Sequence, residues 1–96
     1  MNIVEVTEEN LKRCFAITQE ALAAVRAAEH DRTRKKIADD YLDMAQRYFD
    51  DAQHFFTQGN FVLAYGALHY AHAWLDAGAR IGLFKVSDSR LFTVDD

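Results

Sequence analysis

Proline is absent from this chain of 96 residues, and there are only four glycines. With so few breakers, little interrupts long helices, and the chain should be mostly helical. Cysteine occurs once, at Cys14, so no internal disulfide can form and a reducing compartment is indicated. No apolar run approaches the roughly 20 residues that span a bilayer, so no membrane span is expected. The opening stretch MNIVEVTEEN has neither the basic nor the apolar region of a signal peptide. A cytoplasmic location is the expectation. Positive charge is not in excess either: the net charge is −4, so bulk electrostatics gives no pull toward nucleic acid or an anionic membrane. Glycine-rich phosphate loops, CxxC pairs and HExxH are all missing, which argues against a self-contained enzyme and gives no cofactor to expect.

What is present is an ordinary globular composition, half hydrophobic and 27% charged. The length suits one domain, residues 1–96, with one modest core. Thr7 stands where an N-cap belongs, with Glu8 and Glu9 in the positive first turn. Leu11, Cys14, Phe15, Thr18, Leu22 and Val25 then recur at spacings of three and four, which predicts a first helix over about residues 8–28. The polar EHDRTRKK turns the chain, and Asp31 or Thr33 is placed to cap a second helix over about 33–58. Its apolar stripe holds Ile37, Tyr41, Met44, Ala45, Tyr48, Ala52, Phe55 and Phe56. Gly59 sits where a left-handed C′ residue is needed, and Asn60 can cap the next helix.

The third helix is expected over about 61–81, with Phe61, Ala64, Leu68, Ala71, Leu75 and Gly78 as its core stripe. Leu63, Tyr70, Trp74 and Ile81 form a second apolar face, a candidate interaction surface to be covered by a partner or by the tail. The tail, 83–96, carries Leu83, Phe84, Val86, Leu91, Phe92 and Val94, too apolar to hang free, and should pack back on the bundle. Short connections make successive helices antiparallel neighbours. The fold class is therefore all-α, an up-and-down three-helix bundle with a packed C-terminal tail.

Four clusters carry possible chemistry. His69, His72 and Asp76 share one helical strip and present two imidazoles and a carboxylate, a candidate metal set. A single helix rarely completes such a site, and the competing reading is a partly exposed edge with Asp76 paired to Arg80, so no metal is assigned. Asp39, Asp40, Asp43, Asp50 and Asp51 line the polar face of the second helix, where Arg47 is spaced to pair with Asp43 or Asp51. Arg47 and His54 resemble the arginine–histidine pair of HEPN-type ribonucleases, but the flanking aspartates repel RNA. Arg26, His30, Arg32, Arg34, Lys35 and Lys36 surround the first turn, where they either grip phosphate or form a solvated turn. Cys14 lies on a core face, where a small buried hydrophobe is the natural reading.

The segment YLDMAQRYFDDAQHFFTQGNFVLAYGALHYAHAWLDAGARIGLF resembles the DUF357 family. The resemblance rests on Tyr41, Ala45, Tyr48, Asp51, Ala52, then Phe55 or Phe56, then Gly59, Ala64, Ala67, Tyr70, Ala71 and the block Trp74 to Ala77 with Arg80 to Leu83. It implies a short archaeal protein, a three-helix bundle and no established activity. Because some members of the family are joined to a nucleotidyltransferase-like domain, it also implies such a partner. Two functions follow. One is a non-enzymatic helical module or accessory subunit that binds a protein partner or itself through Leu63, Tyr70, Trp74 and Ile81. The alternative is a nucleotide- or RNA-related enzyme or accessory subunit, HEPN-like or metal-dependent, which requires Arg47, His54, His69 and His72 to converge in one pocket.

Overall fold

The computed structural model describes residues 6–94. The first five residues, which open the expected domain 1–96, and the last two of the expected tail 83–96 lie outside the described residues, as does the start of the stretch read for a signal peptide. Three long helices, α1 (Glu8–Ala27), α2 (Lys35–Thr57) and α3 (Phe61–Arg80), make an all-α up-and-down bundle.

Each boundary has a local cause. The Thr7 hydroxyl accepts the Asn10 N–H at 3.1 Å and starts α1. Between α1 and α2 the chain makes a 3₁₀ turn, Arg32–Arg34. Asp31 caps that turn and not α2: its carboxylate accepts the Thr33 N–H and hydroxyl and the Arg34 Nε–H at 2.8 to 2.9 Å. These hydrogen bonds from Thr33 and Arg34 hold the Asp31 carboxyl well below the usual carboxylate range. α2 therefore begins behind Arg34 with no side-chain cap.

α2 and α3 end in the same way. After α2, Gly59 adopts φ 78°, the Asn60 N–H reaches the Phe55 carbonyl at 2.9 Å and the Gly59 N–H reaches Phe56 at 3.0 Å. After α3, Gly82 adopts φ 81°, with Leu83 N–H to Gly78 carbonyl at 2.8 Å and Gly82 N–H to Ala79 at 3.2 Å. Both are Schellman ends, which need a residue free to enter the left-handed region. Asn60 then caps α3 by accepting the Leu63 N–H.

α3 is the middle element: it packs along α2 and also against α1, while α1 and α2 touch much less. Ring contacts Tyr41–Trp74, Tyr48–Tyr70 and Phe56–Phe61, with centroids at 5.0, 4.5 and 5.4 Å, fix the antiparallel register of α2 on α3. That register brings Ala38 level with Gly78, Ala45 with Ala71 and Ala52 with Ala64, all buried. Small residues every seven positions on both helices let the backbones approach closely, and dispersion then acts over the full length. On the other flank, Phe15 of α1 meets Phe49 and Phe56 edge-on.

The tail closes the bundle. Asp31 N–H donates to the Leu83 carbonyl and Lys85 N–H to the Glu29 carbonyl, both at 2.9 Å, so His30 and Phe84 form a one-rung antiparallel bridge. His30 also donates through Nε2 to the Val25 carbonyl at 2.8 Å, in the last turn of α1, where that carbonyl also accepts the Ala28 N–H at 3.3 Å. Phe84 is fully enclosed against Gly78, and after a turn at Asp88 the buried Leu91 and Phe92 return the chain to the bundle.

Candidate functional surface

Two faces of α3 carry the residues singled out in the sequence, and they have different fates. The first holds His69, His72 and Asp76. His72 is half-buried between α1, α3 and the tail: its Nδ1 lies 3.0 Å from the Thr18 hydroxyl and its Nε2 lies 2.6 Å from the Leu91 carbonyl. A carbonyl only accepts, so Nε2 carries a proton and donates to it, and in the neutral ring the Thr18 hydroxyl donates to Nδ1. Asp76 accepts the Thr93 N–H, so it too holds the tail. His69 lines a groove of about 360 Å³ with Cys14, Ile17, Thr18 and His72. Burial, and then the neighbouring His72, push the His69 imidazole below its ordinary value, favouring the neutral ring. Among the described residues no group of three or more His, Cys, Asp or Glu is placed to hold a metal ion.

Several polar residues of α2 and of the first turn are also engaged in structure. Arg47 pairs with Asp43 at 2.8 Å and Lys35 with Asp39 at 3.1 Å, both exposed pairs one turn apart. Arg26 donates to Gln46, and Arg34 reaches across to the Ile81 carbonyl as well as to Asp31. Arg47 borders a depression with Met44, Tyr48, Asp50 and Asp51, apart from the groove that holds His69 and His72. No described helix is long and apolar enough to cross a membrane.

The second face of α3 is the apolar one. Leu63, Tyr70 and Ile81 are 50%, 48% and 47% exposed, and Trp74 is half-buried among them. The described part of the tail, to residue 94, does not cover Tyr70 and Trp74, one of the two covers expected from the sequence, because His72 and Asp76 draw it to the α1 side of α3. The rings beside them come from α2 instead: Tyr41 stands perpendicular to Trp74, and Tyr48 perpendicular to Tyr70. A depression of about 220 Å³ opens among Tyr41, Tyr70, Ala73, Trp74 and Ala77. Trp74 Nε1 is enclosed, without a hydrogen-bond acceptor among the described residues. Ile37, 48% exposed, extends the face along α2.

A family model described as a protein of unknown function, DUF357, matches residues 13–84. The chain belongs to DUF357. No curated protein and no solved structure matches it. The match runs from α1 through the third helix to Phe84, and so takes in the residue that seats the tail on Gly78.

In this DUF357 chain the apolar face involves more residues than the four first named. Tyr41 and Tyr48 belong by their spacing to the α2 apolar stripe, yet each stands at the seam and supplies one wall of the outer face. The signal was their seven-residue spacing at the edge of that stripe. Thr18 is likewise a plain stripe position by its spacing on α1. Thr18 is 3% exposed, so its hydroxyl needs a partner, and His72 provides it.

Proposed function

We propose that this DUF357 protein is a non-enzymatic helical module that docks a protein partner on the outer face of the α2–α3 hairpin. The observation that carries the reading is the exposed apolar strip Leu63, Tyr70 and Ile81, with Trp74, Tyr41 and Tyr48 forming its aromatic floor. Half-exposed aromatic rings backed by a rigid helix pair are typical anchors of interface cores, because they bury large area at small cost in rotamer freedom. Nucleotide or RNA chemistry would call for Arg47, His54, His69 and His72 to meet in one pocket. Arg47 and the two α3 histidines instead border separate depressions, and His72 is engaged with the tail.

A nucleotidyltransferase-like protein is the partner class suggested by the family, and the cytoplasm is the setting that a lone thiol suits. The test is capture from the host with the native chain and with Tyr70→Glu, which places a charge in the middle of the face. Loss of a retained protein in Tyr70→Glu, but not in a variant of the exposed α1 residue Ala23, supports the reading. Equal retention by both variants refutes it.

A further inference from the structure

The outer α2–α3 face is bordered by a ridge of charges on α2, and their order has a symmetry. Lys36, Asp40, Arg47 and Asp51 are all exposed and lie within a narrow sector of the helix, next to Ile37, Met44 and the two tyrosines. Their spacings are four, seven and four residues, the same read in either direction, and their signs alternate. Reversed upon itself, the ridge sets Lys36 against Asp51 and Asp40 against Arg47. Laid parallel to itself, it sets like against like. Among the described residues Lys36, Asp40 and Asp51 form no ion pair, and Arg47 is bound only to Asp43 one turn away.

Building on the docking face proposed above, we infer that its occupant is a second copy of this chain, related by a two-fold axis that crosses α2 between Asp43 and Met44. The charge pattern selects the antiparallel arrangement and rejects the parallel one. The register of the hairpin supports the same axis. Tyr41–Trp74 and Tyr48–Tyr70 put that midpoint of α2 level with about Ala73 on α3, where a small exposed residue lets two α3 helices pass closely. Gly66, beside which there is open space, and Ala77 continue that low ground on either side of it. Tyr70 and Trp74 then meet the partner's face over an apolar interior, with the α2 charges at its rim.

Size is consistent with this assignment. Two helices of about 30 Å at a spacing of about 10 Å present a face of roughly 600 Å² per copy, or about 1,200 Å² in total. That is the lower edge of stable interfaces, so a reversible dimer with a dissociation constant in the micromolar range is expected. Rim ion pairs add little affinity but set the register, because the wrong pairing places like charges together.

Sedimentation equilibrium of the full chain from about 1 to 300 μM tests the proposal, the range bracketing micromolar affinity. A monomer–dimer equilibrium is expected. Arg47→Asp should weaken it by about tenfold, as it sets Asp against Asp in both of the symmetry-related 40–47 pairs, and adding Asp40→Arg should restore it. Both positions are exposed, and far-UV circular dichroism checks that each variant stays helical. In a Cys14→Ala background, Met44→Cys should form an oxidised dimer, while Ala23→Cys on α1 should not. A strict monomer at the top concentration overturns the self-pairing, and so does a dimer insensitive to the charge swap with no Met44→Cys cross-link. The two proposals fail separately. A monomer that still loses a captured protein on Tyr70→Glu leaves the docking face standing, whereas a dimer untouched by Tyr70→Glu removes the face itself.

Discussion

Replacing Gly78 with alanine probes the contact that locks the tail onto α3. A Cβ at this position would stand 2.8 Å from Cδ2 of Phe84 and 3.2 Å from Cζ, and closer still to Cε2. The ring cannot simply swing away. Phe84 is 1% exposed, and its neighbours Leu83 and Lys85 are both hydrogen-bonded to the α1–α2 connection. Two effects oppose each other. Alanine favours the helix over glycine by up to about 1 kcal/mol. Forcing a methyl group into a filled core costs about 1–3 kcal/mol. The second wins because the obstacle is the body of a buried ring and not the end of a flexible chain. The expected loss is about 1–2 kcal/mol, a fall in Tm of roughly 5–15 °C for a domain of this size. Urea denaturation followed by far-UV circular dichroism in dilute solution measures it. Gly66→Ala is the matched control, since the space beside Gly66 is open, and it should gain about 0.5–1 kcal/mol. If Phe84 is the obstacle, Phe84→Leu combined with Gly78→Ala should cost less than the two single changes together. Gly78→Ala at or above wild-type stability would refute the packing argument.

Three further outcomes follow from the same geometry. His72→Ala strands the Thr18 hydroxyl and the Leu91 carbonyl, so stability should fall by about 2–3 kcal/mol and trypsin should cut the tail at Lys85 and Arg90 faster; an unchanged cleavage rate would remove His72 as the tail anchor. The His69 imidazole is depressed in the fold, so its contribution is fully present above its unfolded value of 6.5 and is lost as the pH falls through the folded value. The urea midpoint should therefore drop on acidification from 6.5 down through the folded value, and His69→Gln should flatten the drop. Trp74→Phe removes an enclosed N–H with no acceptor while keeping a ring against Tyr41; the relief, about 1–3 kcal/mol, should largely offset the lost area, so a large net destabilisation would mean the N–H has a partner.

The candidate surface was only half legible in the chain. The periodicity of α3 isolated Leu63, Tyr70, Trp74 and Ile81, because an apolar residue outside the core stripe is visible at a spacing of 3.6. The part that Tyr41 and Tyr48 play was not visible, since whether an edge residue faces the core or the outer groove depends on where the neighbouring helix lies. The part played by the polar strip was hidden for the same reason. His69, His72 and Asp76 have the spacing of ligands, but what His72 and Asp76 meet is set by the path of the tail, from which Leu91 and Thr93 present a carbonyl and an N–H.

By itself the sequence determined the local structure: three amphipathic helices, the Thr7 and Asn60 caps, and the ends at Gly59 and Gly82. Those features depend on residues within one or two turns of each other, so the order of residues contains them. Only the tertiary structure decided that α3 lies between the other two helices, that Phe84 fills the space left by Gly78, and that the tail follows the histidine side of α3 and leaves the tyrosine side open. Those outcomes depend on shape and hydrogen-bond matching between segments far apart in the chain, which periodicity does not record.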